Sequence, residues 1–537
     1  MDRRTALRTG AAGLLAVGGG VATGWLGGSR WPVSIVGRGP AFVRSDRPGC
    51  AQGVQSGDLG EGRAVVWGRT DRPCRMWVDW STRADFEGAQ TVRGPEVLST
   101  TDFTGQCLVG ALPVGARVHY RVRFEDLTNP RNESEPSAGQ LQMPGDTTRA
   151  VRFFWSGDTC GQGFGINPEF GGLRIFDTMR GQTPDFFVHC GDVVYADGPL
   201  SESVTATDGS LWRNVVTEAK AKVAESLDEF RGQYLYNLLD APLRRFNAEV
   251  AQLVIGDDHE IVNDWDPRER VFKPARYKNV PQMPQLAANA RRAFREYVPM
   301  RSAQDRATLY RARRMGPLCE VMLTDTRAHR GLNSSNVQKT QSDTTRYWGD
   351  AQRTWLRDRL VRSTATWKFV IAAQPLSLVI RNGGIAFDGI ANAKAGPPLG
   401  REHELAWLLG ELKRAGVRNV VWLCADVHYT AAHHYAPERA AFTEFDPFWE
   451  FVSGPLNAGT FGPNPLDSTF GPRVVFQKHP EGTVKNLPPS AGLQFYGDVH
   501  IDPQTRALAV VLRDLEGRAL HTESIDPEEQ AMDSALQ

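Results

Sequence analysis

Excess charge of either sign is missing from this chain of 537 residues: Lys and Arg total 62, Asp and Glu total 62, and the formal net charge is zero. Nucleic acids and anionic membranes favour a basic partner surface, so no specific nucleic-acid partner is implied. Cysteine is scarce. Seven residues are scattered without a CxxC pair, which argues against a zinc ribbon. Cys50, Cys74 and Cys107 fall in the N-terminal part and can supply one disulfide in an oxidising compartment, with the pair left open. No internal repeat is present. Hydrophobic residues at 41% and charged residues at 23% are ordinary for a soluble globular protein, long enough here for two to four domains.

What is present begins at the N-terminus. Arg3 and Arg4 precede a weakly apolar, glycine-rich stretch at 11–28. A positive region followed by a short apolar one reads as an export signal over residues 1–30, and DRRTALR resembles the twin-arginine type. That reading implies a twin-arginine translocase as partner and a periplasmic or extracellular destination. Membrane contact follows only if the signal stays uncleaved as an anchor.

Between 50 and 145, short β-branched and aromatic runs alternate with turn residues: RAVVWGRT (63–70), CRMWVDWST (74–82), QCLVGA (106–111) and ARVHYRVRFEDL (116–127). They predict a small all-β sandwich over 41–147. From 148 to 530 apolar runs alternate with segments of helical period at 170–180, 211–246, 351–363 and 403–416. Such alternation predicts a layered α/β domain. Residues 455–492 are rich in Pro, Gly and Asn and read as surface loops, and three strand-like runs close the chain.

Five apolar runs in the α/β portion end in residues of ligand type. VRFFWSGD ends at Asp158, and FFVHCGDVVY supplies Asp192 and Tyr195. VAQLVIGDDHE ends in Asp257, Asp258, His259 and Glu260, EVMLTDTR in Asp325 and Arg327, and NVVWLCADVH in Asp426 and His428. Ligands of α/β sheets collect beyond the carboxyl ends of the strands. Carboxylates crowded there would repel one another unless multivalent cations bind. Paired metals can activate a water as hydroxide and clamp the oxygens of an in-line phosphoryl displacement. A phenolate from Tyr195 favours a strong Lewis acid such as ferric iron. His433 and His434 read as surface residues, and Cys190 and Cys424 as small buried hydrophobes.

At these positions the chain resembles the PhoD-like alkaline phosphatases of the calcineurin-like metallophosphoesterase superfamily, over nearly its whole length. The resemblance implies a four-layer sandwich of two mixed sheets with flanking helices behind the N-terminal sandwich. It implies two or more metal ions, Fe3+ and Ca2+. Asp158, Asp192, Tyr195 and His428 would hold the first, and Asp192 would bridge to a second held by Asp258 and Asp426. An all-oxygen second site favours calcium over zinc. Gln374 stands where a related histidine would be. Asp158 stands where a cysteine can be used, with Cys160 two residues later. The expected chemistry is attack of a metal-activated hydroxide on a small phosphate ester, with His259 protonating the leaving oxygen and Arg327 binding nonbridging oxygens as a planar fork. A diester-preferring phosphodiesterase or phospholipase-type enzyme, and a non-catalytic binding protein, are the alternatives.

Overall fold

Successive side chains along the apolar runs enter different clusters, and that alternation builds the layers. The computed structural model describes residues 46–268, 276–279, 282–301 and 308–529; the expected export signal lies outside them. Phe153 and Trp155 of Val151–Ser156, Phe186 and Val188 of Phe186–His189, and Leu253 of Ala251–Val254 share one central cluster. Into it also point Val321 and Leu323 of Cys319–Leu323, Phe369 and Ile371 of Trp367–Ile371, and Val421 and Leu423 of Val420–Cys424. The intervening residues turn outward. Phe154 and Phe187 pack on Phe176 and Phe246 of helices Ile175–Gly181 and Ala241–Glu249. Met322, Val370 and Trp422 pack on Leu356 and Leu408 of helices Gly349–Arg362 and Glu402–Arg414. Two mixed sheets therefore lie face to face with helices on both outer sides.

One sheet has nine strands. Its centre holds Val151–Ser156, Phe186–His189 and Ala251–Val254, paired in parallel so that Phe153, Phe186 and Ala251 stand level. The other has seven, with Cys319–Leu323, Trp367–Ile371, Val420–Cys424 and Phe448–Val452 in parallel. Level parallel strands end level, and that brings their carboxyl ends to a common rim.

Strands Gln90–Val97, Cys74–Ser81, Arg117–Asp126 and Ser137–Gln142 form a separate N-terminal sheet. Its inner residues Met76, Val78, Val118 and Val122 join the same central cluster. The strands facing it, Val54–Gly60, Arg63–Arg69 and Thr104–Val109, continue the nine-stranded sheet. The splice is at Gly57, which pairs with Gln252; a Cβ there would lie 2.5 Å from the Pro299 carbonyl oxygen. The next residue, Asp58, is wholly buried and accepts from Arg311 at 2.8 Å and from Arg313 at 2.7 Å.

Some expectations fail for local reasons. The stretch 211–246 is not continuously helical. It comprises the strand Leu211–Arg213, the short turn Glu218–Lys220, and helices Leu227–Asn237 and Ala241–Glu249. Ser226 and Glu229 form a capping box that starts the first helix, and Asp240 caps the second with Pro242 in its opening turn. The expected loop region holds the strand Pro472–Lys478. All seven cysteines are free thiols, so Cys50, Cys74 and Cys107 supply no disulfide. His433 is buried and bonds Glu450 at 2.9 Å, because it shares with Ala431 and Tyr435 the helix-covered side of Thr430–Tyr435. No helix among the described residues is long and apolar enough to cross a membrane.

Candidate metal centre

Each strand stops just short of its acidic residue: Val151–Ser156 before Asp158, Phe186–His189 before Asp192, Val420–Cys424 before Asp426. The chain then turns through left-handed backbone. Asp158, Asp192, Asp426 and His428 have φ of 67°, 52°, 68° and 59°. Non-glycine residues rarely adopt this conformation, although Asp and His tolerate it better than most. Asp426 and His428 thus share the rim through a turn beyond the strand. Glycines let the turns close. A Cβ on Gly191 would fall 2.6 Å from Asp257 Cβ, and one on Gly454 would fall 2.3 Å from Asp158 Oδ2.

The tips converge. One ligand atom each from Asp158, Asp192 and His428 lie within 4.8 Å of one another. The same holds for Asp192, Asp258 and His259, for Asp257, Asp258 and Asp426, and for Asp258, Asp264 and Asp388. Asp192 belongs to two groups and Asp258 to three. Tyr195 joins the first group, with its Oη 2.8 Å from His428 Nε2. Its ring packs on His259 at 4.3 Å between centroids, and a Cβ on Gly161 would meet it at 2.4 Å. His428 donates from Nδ1 to the Gly459 carbonyl, so its Nε2 lone pair faces Asp158 at 3.7 Å.

Electrostatics mark the cluster as short of positive charge. Burial, reinforced by neighbouring carboxylates, pushes Asp158, Asp192 and Asp426 well above the ordinary carboxylate range. Burial likewise raises Asp258, lifts the Tyr195 phenol well above its usual value, and holds His428 down to about 3. Asp158 Oδ2 and Asp257 Oδ2 are buried without a hydrogen-bond partner. Oxygen-rich donors with orphaned lone pairs fit hard cations, and a neutral imidazole fits beside them.

Arg327 is the protein's own cation here. It bonds Asp257 through Nε and Asp388 through Nη1 at 2.9 Å. Its Nη2 stands 3.5 Å from Asp258 and 3.9 Å from Asp426 and has no hydrogen bond. One edge of the expected phosphate fork is therefore taken, and only Nη2 remains unengaged. Asp325 does not pair with Arg327; it caps the turn by accepting the N–H groups of Arg327 and Ala328. Glu260 staples two of the loops together, accepting from Val193 N at 2.7 Å and from Asp257 N at 2.8 Å.

Three functional positions escaped sequence reasoning. Asp197 accepts from His259 Nδ1 at 2.7 Å. Burial works against an imidazolium, yet Asp197, Asp192 and Asp258 hold His259 well above its usual value. Asp388 receives Arg327, Arg330 at 3.0 Å and the Gln374 amide. Burial opposes its charge, but Arg327, Arg330 and Arg401 keep it below the ordinary range. Gln374 thus touches the centre only through Asp388. Gly454 is the third, visible only from its approach to Asp158. Cys160 packs among Phe154, Leu200 and Tyr236, outside the ligand groups.

The PhoD-like phosphatase family matches residues 153–512, and the N-terminal domain of PhoD-like phosphatase matches residues 38–143. Alkaline phosphatase D of Bacillus subtilis (strain 168) is 28% identical over 433 residues, covering 76% of this chain and 70% of that protein. A solved structure of PhoD superposes with a TM-score of 0.64 at 18% identity, covering 90% of this chain and 93% of that one. Purple acid phosphatase PPD1 from yellow lupin (Lupinus luteus) seeds superposes with a TM-score of 0.54 at 12% identity, covering 89% and 74%. Those two likenesses show a common fold.

Proposed function

This chain belongs to the PhoD-like phosphatase family, whose members are phosphoric ester hydrolases, and from that premise we propose that it is an exported, metal-dependent phosphatase acting on small phosphate esters. The observation that carries the reading is the position of Asp192, shared between a group with Asp158 and His428 and a group with Asp258 and His259. Asp158, Asp192, Tyr195 and His428 would hold a first cation, iron by the chemistry of a phenolate, and Asp192, Asp258 and Asp426 a second, calcium by its all-oxygen set. Bound there, the pair would supply Lewis acidity that lowers the pKa of a water and neutralises charge on phosphoryl oxygens.

The chain's own residues do the rest. Asp197 engages His259 Nδ1 and leaves Nε2 as the proton donor for the departing oxygen. Arg327 orders the acidic side through Asp257 and Asp388, and its Nη2 is the part that reaches a nonbridging oxygen. Gly459 fixes the His428 tautomer. Export through the twin-arginine translocase to the periplasm or exterior rests on residues 1–30 alone.

The test is elemental analysis of purified protein alongside hydrolysis of a chromogenic monoester and a chromogenic diester. Iron and calcium at near one each, with monoester hydrolysis lost on chelation and in Asp192→Ala, is the expected result. Hydrolysis that survives both treatments would refute the proposal. A faster diester rate would reassign the substrate class and leave the centre intact.

A further inference from the structure

Lys220 is 1% exposed and ends the short turn Glu218–Lys220. Its ammonium donates to the Tyr195 carbonyl at 2.8 Å and to Gln233 Oε1 at 2.9 Å, and it lies 5.8 Å from the centroid of the Tyr236 ring. Among the described residues, none of these partners is a carboxylate. Asp197 lies near enough to favour the charge but does not bond it, and burial outweighs that help. An ammonium buried without a directly bonded anion is costly, and a neutral side chain of similar length would fill the space more cheaply. The position of the lysine gives a reason for tolerating that cost.

Residues 195–200 run between two supports. On one side Ala196 N–H donates to the His259 carbonyl at 2.8 Å. On the other, Leu200 N–H donates to the Lys220 carbonyl and Ala224 N–H donates to the Ala196 carbonyl, both at 2.8 Å. Gln233, which receives the ammonium, donates back to the Ala219 carbonyl at 2.7 Å. The Tyr195 ring is already confined between Gly161 and His259. What remains free is how far the phenol reaches, and the main-chain position of Tyr195 sets it. The Tyr195 carbonyl accepts the Lys220 ammonium at 2.8 Å and the Gly198 N–H at 3.3 Å, so the ammonium is its shorter tether.

We infer that Lys220 is a positioning residue which, through the Tyr195 carbonyl, sets the reach of the phenol toward the first cation. The inference rests on the reading of Tyr195 as a ligand proposed above. Lys220 touches neither substrate nor cation. It acts only through Tyr195, so its effect must vanish when the phenol is gone.

A double-mutant cycle tests this on the full-length protein, with retention of the first metal against graded chelator as the readout and thermal unfolding recorded in parallel. Lys220→Met keeps the length and removes both donated bonds. It is expected to lower the chelator concentration that strips half of that metal by about tenfold, the usual scale for groups that orient a ligand. Lys220→Gln retains a donor and is expected to recover most of the difference. In a Tyr195→Phe background Lys220→Met should change retention less than twofold. Wild-type retention in Lys220→Met overturns the inference, as does an equal loss with and without the Tyr195 hydroxyl. A metal-free wild type overturns the proposed centre itself, a result distinct from either of those.

Discussion

Asp58 and Asp158 are alike in burial, at 0% and 1% exposure, and both take left-handed backbone with φ of 46° and 67°. Their surroundings differ in one respect. Asp58, at the splice between the N-terminal strands and the main sheet, has two guanidinium groups within 2.8 Å. Burial opposes its charge, but Arg311 and Arg313 hold its pKa below the ordinary value. Asp158 faces other carboxylates, and its pKa is driven well above that value by burial and then by Asp257. The same residue type in the same degree of burial is finished at one place and unfinished at the other. Where the chain supplies the counter-ion, the acid serves the scaffold. Where it withholds one, the acid is available to a cation from outside.

The comparison breaks most visibly at Asp192. Asp192→Ala should cut phosphate-ester hydrolysis on the order of 10³-fold or more and release metal, because it removes the ligand shared between two groups. Metal analysis of that variant checks the cause. Asp58→Ala should do the reverse: metal retained, and unfolding made easier by about 3–5 kcal/mol, since two buried guanidinium groups lose their partner. Denaturant midpoints measure it.

Proton linkage sharpens the contrast. In chelated protein, Asp158, Asp192 and Asp426 have raised folded pKa values, so the stability of their neutral forms is full below the unfolded value near ~3.9 and is lost as pH rises through the raised ones. Melting temperature with chelator should therefore fall as pH rises above ~3.9, and added metal should flatten the profile. Asp58 runs the other way. Its depressed pKa gives stability that is present above ~3.9 and lost as pH falls through the folded value, so Asp58→Asn should remove part of the acid limb. The smallest effect expected is from Gly454→Ala, whose methyl group meets Asp158 Oδ2. Retention of the first metal should drop about tenfold, with the acid limb unchanged.

Much of this arrangement was legible in the sequence, because buried parallel strands read as apolar runs and their ends fall at the first polar residues. Asp158, Asp192, Asp258, Asp426 and His428 could be found that way. Asp388 could not: it follows no such run, and Arg327, Arg330 and Gln374 give it meaning only through tertiary contact. Asp197 was overlooked because its partner lies 62 residues on. Helix Met283–Tyr297 went unread although Met283, Leu286, Ala290, Phe294 and Tyr297 recur at helical spacing on its buried face. His433 was misjudged because neighbours on a strand face opposite ways and only the tertiary fold decides which face is covered.

The left-handed backbone at Asp158, Asp192, Asp426 and His428 has a consequence for anyone breeding tougher versions of this protein. Glycine at any of the four would relax the chain by about 1 kcal/mol, so a screen rewarding heat resistance alone will collect those replacements early. The survivors would be robust and inert. Libraries built on this scaffold should freeze the four codons and spend their diversity elsewhere.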